Sequence, residues 1–206
     1  MENSVTLYGA SGHCKVIIDI LYSRSIAIDA IIDDNPIITS LLQYNIVKPE
    51  NFDFAKIKNM IISIGNNHVR KVISGKLNVQ FGKAIHFNSI ISKEAKIGYG
   101  TVVMAGAIIN SGVLIGNHCI INSGALVEHD CIINDFVQIS PKATLAGNIS
   151  IGEGTQIGIG ATIIQGIKIG KWAMVGAGAI IIKDIPDYAV VVGNPGRIIK
   201  YNKENE

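Results

Sequence analysis

The chain has 206 residues and a net charge of +2, with 48% hydrophobic, 17% charged and 6% aromatic residues and 22 glycines. This length allows one large domain or two small ones, and the near-neutral charge excludes a strong field for nucleic acid or an anionic membrane. The three cysteines Cys14, Cys119 and Cys131 form no C-x-x-C pair, which argues against a disulfide framework and a zinc site.

No apolar run is long enough to span a bilayer. Met1 to Thr6 carry neither a basic segment nor a long apolar one, so no signal peptide and a cytoplasmic location are expected. Val5 to Tyr8 reads as a short buried strand, followed by the turn Gly9-Ala-Ser-Gly-His13. An amphipathic helix is predicted over Val16 to Tyr22, with Asp19 on its polar face, then a strand over Ile26 to Ile32 ending at Asp33-Asp34. A further strand over Asn59 to Ile64 ends at Gly65-Asn66-Asn67, and a helix is predicted from His68 to Leu77. Strand, glycine turn, helix, strand and acidic pair form a Rossmann-like βαβ pattern over residues 1–84. The turn lacks a full G-x-G-x-x-G, so on residues alone it is either an anion or nucleotide site at a helix N-terminus or a plain strand-to-helix turn.

From Ile85 onward the pattern changes. Every sixth residue, from Ile85, Ile91, Ile97 and Val103 through Val175 and Ile181, is Ile, Val or Leu with no slip of phase. A second track of small or modest residues follows four positions later, as at Thr101, Ala107, Cys119, Ala125 and Ala143. Glycine often follows the aliphatic directly, as at Gly98, Gly116, Gly152 and Gly170. Six steps are out of phase with a helix face, whereas positions two apart on an extended chain share a side. A bend in each hexad closes a triangular coil every three hexads, with both tracks inside and neighbouring coils pairing as parallel strands. Glycine is expected near the bends because it accepts positive φ. Residues 85–184 give about five and a half coils, and the second domain is assigned to residues 85–206.

The Gly-Ala-Ser-Gly-His turn, the Ile64-Gly-Asn-Asn-His-Val-Arg70 segment and the hexapeptide repeat together resemble the sugar O- and N-acyltransferases typified by bacillosamine and sialic acid acetyltransferases. The resemblance covers nearly the whole chain. It implies an α/β Rossmann-like domain followed by an all-β left-handed parallel β-helix, with acetyl-CoA as co-substrate and no metal. It also implies a homotrimer with acetyl-CoA in the cleft between neighbours, acting on a nucleotide-linked amino sugar. The expected substrate is a UDP- or dTDP-4-amino-4,6-dideoxyhexose used in lipopolysaccharide, O-antigen or other surface glycan synthesis. The stretch Asn122-Ser-Gly followed by Glu128-His129-Asp130 carries the catalytic match: His129 as general base and Asp130 as its orienting carboxylate. The chemistry agrees, since an amine attacking a thioester must lose a proton and a neutral imidazole held by a carboxylate can take it.

By the same resemblance Ser11, Gly12, His13, Asp33, Asp34, Gly65 and Asn122 contact the nucleotide sugar. Gly147 supplies a backbone donor near the thioester carbonyl, Ile159 and Ala177 line the pantetheine path, and Arg197 meets CoA phosphates. Gln138 stands where the family commonly has histidine, so it can donate a hydrogen bond at the acyl site but cannot act as a base. Arg70 is left between holding a phosphate and pairing with an acid. Two other readings stay open: an O-acetyltransferase of sialic acid or another small hydroxyl acceptor, and a non-enzymatic or metal-binding β-helix protein.

Overall fold

The computed structural model describes residues 4–202. The first third holds β1 (Ser4–Tyr8), α1 (Gly12–Ser23), β2 (Ala27–Ile32), β3 (Ser40–Leu41), β4 (Tyr44–Val47), β5 (Met60–Ile62) and α2 (Asn67–Lys76). The strands lie in the order β3-β4-β2-β1-β5, all parallel except the short β3–β4 hairpin. β1 is buried at all five positions, as expected of a parallel strand covered on both sides. α1 turns Cys14, Ile17, Ile18 and Leu21 into the core, and α2 starts where the Asn66 side chain accepts the Val69 N–H at 3.0 Å. The sequence does not show the β3–β4 hairpin, because its strands are too short to display a period.

From Ala84 the chain winds into a parallel solenoid whose two-residue strands recur every six residues. Strands pair at a separation of eighteen residues: Ile108 with Leu126, Leu126 with Thr144, Thr144 with Thr162, and Thr162 with Ile180. This gives three flat faces. The first face starts at Ala84–Ile85, the second at Ile90–Ile91 and the third at Lys96–Ile97. The aliphatic track from Val103 to Ile181 is buried, and Ile85, Ile91 and Ile97 at the open end are half-buried.

The second track forms three inner columns of different bulk. Ala107, Ala125, Ala143, Ala161 and Ala179 stack in one; Val113, Cys131, Ile149, Ile167 and Ile185 stack in another. The small-residue expectation therefore holds at one corner and relaxes at another, where the coil interior admits isoleucine. Thr101 and Thr155 occupy the third column, and their hydroxyls donate to Gly116 O (2.8 Å) and Gly170 O (2.6 Å), so burial leaves neither hydroxyl unsatisfied.

Glycine performs two jobs, and the sequence reading placed only one of them, at the wrong position. The left-handed backbone recurs three residues after each aliphatic, at Gly100, Gly106, Gly112, Gly124, Gly154, Gly160, Gly166 and Gly178. The glycines directly after the aliphatic do not have positive φ. They are small because the next coil passes over them: a Cβ on Gly98 would lie 2.5 Å from the Gly116 carbonyl.

The two halves pack closely. Val102, Met104 and Ile120 point outward from the first face and are buried in one cluster with Cys14, Ile17 and Leu21 of α1. Arg70, 1% exposed, holds the seam. It donates to His118 O (2.8 Å), Phe136 O (3.0 Å), Ile64 O (3.1 Å), Gly65 O (3.0 Å) and Asn67 Oδ1 (2.8 Å). These bonds engage it wholly inside the protein, so neither sequence-based role for Arg70, phosphate clamp or acid partner, is realised. Beyond the coils an antiparallel hairpin, Ala189–Val192 and Arg197–Tyr201, extends the first face across a cis Asn194–Pro195 bond. It leaves Ile180 half-buried, while Ile164 and Ile182 are exposed on the prism.

Candidate active site

The α/β sheet places a crevice at its strand-order reversal. β1 and β5 end side by side, and their following turns, Gly9–His13 and Gly65, flank the point where such folds admit ligands. Gly9 has φ 110°, and a Cβ there would strike the Ile64 side chain, so only glycine serves. Ser63 fastens the turn from beneath, its hydroxyl within hydrogen-bonding reach of Gly9 O (2.6 Å) and Tyr8 O (3.0 Å). Ser11 precedes α1 in an extended conformation, its side chain makes no capping bond, and no acidic residue enters the first turn. The first amides of α1, at Gly12 and His13, therefore face the crevice side as donors without helical partners.

His13 Nε2 is buried with no protein partner, and its pKa falls to about 4, mainly through burial and then through nearby Arg70. The imidazole is thus neutral at pH 7. Beyond the end of β2, on the other side of β1 from β5, Asp33 accepts the Ala10 N–H at 2.8 Å and the Asn35 N–H at 3.0 Å, while Asp34 accepts the Tyr8 hydroxyl at 2.7 Å. Gly65 gives its carbonyl to Arg70 and has open space beside its Cα.

The second constellation lies on the corner between the second and third faces. Asp130 occupies the positive-φ position there (φ 60°), and His129 immediately precedes it. His129 Nδ1 stands 2.9 Å from Asp130 Oδ2. The coils above and below make room for the pair. Gly147, eighteen residues after His129, would with a Cβ press within 2.5 Å of Cε1 and 2.6 Å of Nε2, so the imidazole lies over its Cα. Gly112, eighteen residues before Asp130, likewise sits under the carboxylate. Backbone bonds at 3.0 Å from Asp130 N to Ser111 O and from Asn148 N to His129 O lock the corner. With Nδ1 facing the carboxylate, Nε2 is the nitrogen free to exchange a proton. Sequence reading missed Gly112, Tyr8 and Ser63; Gly112 is findable by stepping one coil back from Asp130.

The remaining predicted residues fall elsewhere. Gln138 is on the first face, in register with Ile120 and Gln156. Asn122 and Ile159 lie beside the corner between the first and second faces, with Ala177 one coil beyond Ile159. Asn122 Oδ1 accepts the Ser123 N–H at 2.8 Å, and Ile159 is 58% exposed. Arg197 is exposed on the terminal hairpin, and among the described residues its guanidinium bonds only to Gly196 O, at 3.1 Å. Within one chain, Ile159 and Ala177 therefore stand on a different corner from His129 and Gly147. The physical reason is the eighteen-residue period, which sends residues thirty apart to different corners.

A cavity of about 690 Å³ contains none of these residues; it lies at the C-terminal end of α2, walled by Phe81, Tyr99, His118 and Phe136. Those rings pack on one another, with His118 parallel to Phe136 at 5.3 Å and edge-on to Phe81 at 4.6 Å, and fill the seam between the halves. Among the described residues no group of three or more His, Cys, Asp or Glu is placed to hold a metal ion, and no helix is long and apolar enough to cross a membrane.

A Rossmann-like α/β domain joined to a hexapeptide solenoid with a corner His–Asp pair is the architecture of a hexapeptide acyltransferase carrying an added N-terminal domain. Residues 4–77 match the PglD N-terminal domain and residues 148–183 the bacterial transferase hexapeptide (six repeats). The chain is 32% identical to perosamine N-acetyltransferase from Caulobacter crescentus, a variant of which was solved with CoA and GDP-perosamine (TM-score 0.90, covering 96% of this chain and 97% of that one). It is 31% identical to the acetyltransferase domain of PglB from Neisseria gonorrhoeae (TM-score 0.89, 96% and 100%) and 33% identical to WeeI from Acinetobacter baumannii (TM-score 0.87, 95% and 99%). No curated protein sequence matches the chain. The chain belongs to the PglD-like sugar N-acetyltransferases of the left-handed β-helix superfamily and is an acyltransferase.

Proposed function

We propose that the protein transfers the acetyl group of acetyl-CoA to the amine of a nucleotide-linked amino sugar, with His129 as general base. The observation that carries this reading is the His129–Asp130 pair, built into a hexapeptide corner with Nε2 laid over Gly147. Support for the substrates comes from the relatives: perosamine N-acetyltransferase was solved with CoA and GDP-perosamine, and the PglB domain with acetyl coenzyme A. The crevice of this chain fits an anionic sugar nucleotide in offering the first amides of α1, with no acidic residue in the first turn. The sugar amine attacks the thioester carbon, its proton passes to His129 Nε2, the C–S bond breaks, and the proton leaves with the coenzyme A sulfur. Asp130 holds the tautomer and stabilises the imidazolium. The Gly147 amide has no partner among the described residues and is suited to donate to the oxyanion. Arg197, with most of its guanidinium free, is suited to CoA phosphates.

This reading requires more than one copy. His129 and Gly147 stand on the corner opposite the first face, whereas the crevice domain, Gln138, Ile159 and Ala177 are on or beside that face. A homotrimer would unite them by closing a ring in which the His129 corner of one subunit meets the first face of the next. The outward aliphatics Leu114 and Ile132 of the third face, 42% and 46% exposed, suit burial in such a ring.

The test is thiol release from acetyl-CoA by purified protein with GDP-, UDP- and dTDP-linked 4-amino sugars. Replacing His129 with Ala should lower kcat about a hundredfold or more. A variant turning over at the parental rate would remove His129 from the base role.

A further inference from the structure

The two aspartates that end β2 occupy equivalent places in the sequence reading, but their hydrogen bonds separate them. Asp33 has both oxygens engaged by backbone: Oδ2 takes the Ala10 N–H at 2.8 Å and Oδ1 the Asn35 N–H at 3.0 Å. It ties the end of β2 to the Gly9 turn and has no oxygen left unengaged. Asp34 has one oxygen engaged, Oδ1, by the Tyr8 hydroxyl at 2.7 Å. Its Oδ2 makes no bond among the described residues, and Asp34 is exposed at the crevice. Tyr8 itself is 5% exposed, at the end of β1, which is paired on both sides by β2 and β5. Burial first, and then Asp34, raises its hydroxyl pKa above the ordinary tyrosine value, so it remains a donor at working pH.

We infer that Tyr8 is a positioning residue that aims Asp34 Oδ2 at a hydrogen-bond donor on the nucleoside end of the sugar nucleotide, while Asp33 only braces the turn. Charge fixes which end of the ligand is read. Two carboxylates at the end of β2 repel a diphosphate, which belongs instead at the α1 amides on the other side of the turn. What remains for Asp34 is a neutral donor, the ribose hydroxyl or a ring N–H of the base. Because the donor Tyr8 holds Oδ1 fixed, the carboxylate is oriented before the ligand arrives.

The inference rests on the nucleotide-sugar reading above, and the experiment separates the two. The nucleotide sugar turned over by wild-type protein is used for all variants. Asp34→Asn and Tyr8→Phe should each raise its KM about tenfold, the loss of one charge-assisted hydrogen bond, with kcat and the KM for acetyl-CoA unchanged. The double variant should be no worse than Asp34→Asn alone, since Tyr8 acts through Asp34. Asp33→Asn should instead lower the thermal midpoint, with Tyr8→Phe and Asp34→Asn leaving it in place. The corresponding free nucleoside should bind more weakly to Asp34→Asn, and inorganic pyrophosphate should bind it no more weakly. If wild type acts on no nucleotide sugar, the parent reading fails and this one with it. If wild type is active but Tyr8→Phe keeps its KM, or its effect adds in full to that of Asp34→Asn, the positioning role is overturned.

Discussion

Asp130 holds a conformation that L-residues adopt at a cost of roughly 1 kcal/mol, and it is one of several non-glycine residues at the left-handed corners. His118, Phe136 and Trp172 share that strain on the corner between the third and first faces, where packing offsets it. Arg70 takes the carbonyls of His118 and Phe136, and Trp172 meets His68 edge-on at 5.8 Å. Asp130 has no such cover, being exposed with His129, and its carboxylate lies 2.9 Å from the His129 ring. His118 carries a separate consequence. Burial, then Arg70, lowers its pKa to about 4. As pH falls below the ordinary value near 6.5, the unfolded chain takes up that proton first. The stability tied to neutral His118 is therefore present above pH 6.5 and lost on the way down to pH 4. His13 titrates in the same direction. His118→Phe, which keeps the stack on Phe136, should flatten the fall of thermal midpoint between pH 6.5 and 4 without abolishing it. An equally steep fall in the variant would show that His118 does not titrate this way.

The coil is the element the sequence displays best, because its period is enforced at each step by the same interior. A buried aliphatic every six residues leaves no freedom of phase, so faces and inner tracks were legible from Val103 to Ile181. The cause of each glycine was less legible, because two demands three and one residues past the aliphatic both select the same residue type. They separate energetically. At Gly106 (φ 69°) no atom comes within 3.8 Å of where an alanine methyl would sit, so Gly106→Ala meets only backbone strain, about 1 kcal/mol. At Gly116 a Cβ would lie 2.8 Å from the Asn134 and Asp135 backbone and nearer still to the Asp135 carboxylate. That carboxylate accepts the Asn117 N–H at 2.7 Å and cannot retreat without losing it. Gly116→Ala should cost about 3 kcal/mol, by overpacking against backbone, and lower the thermal midpoint well beyond Gly106→Ala. Equal midpoints for the two variants would refute the close-approach account of the glycines that follow the aliphatic.

At the scale of the whole molecule, the residues of the candidate site were legible one by one and their assembly was not. The His129–Asp130 pair and the Gly9–His13 turn lie at a corner and a strand-to-helix turn, which are fixed by neighbours within a few residues. Which corner each residue occupies is decided by the eighteen-residue period, which does not show in a motif. Ile159 and Gly147 look adjacent along the chain yet stand on different corners, and Arg70 looks like a phosphate ligand yet is wholly engaged by carbonyls and Asn67. Separation of His129 from the first face also yields a test that a one-chain site cannot pass. His129→Ala lacks the base, and Asp34→Ala lacks the nucleoside contact; each alone should be poor at low nucleotide-sugar concentration. Co-expressed at equal levels with different tags, they should mix at random into trimers. A site drawing His129 from one subunit and the crevice from its neighbour is then intact with a probability of about one in four. The unfractionated mixture should therefore recover about a quarter of wild-type activity, and trimers purified through both tags about a third. If base and crevice served the same site from the same chain, no mixed trimer would contain an intact site, and activity would stay at the level of the separate variants.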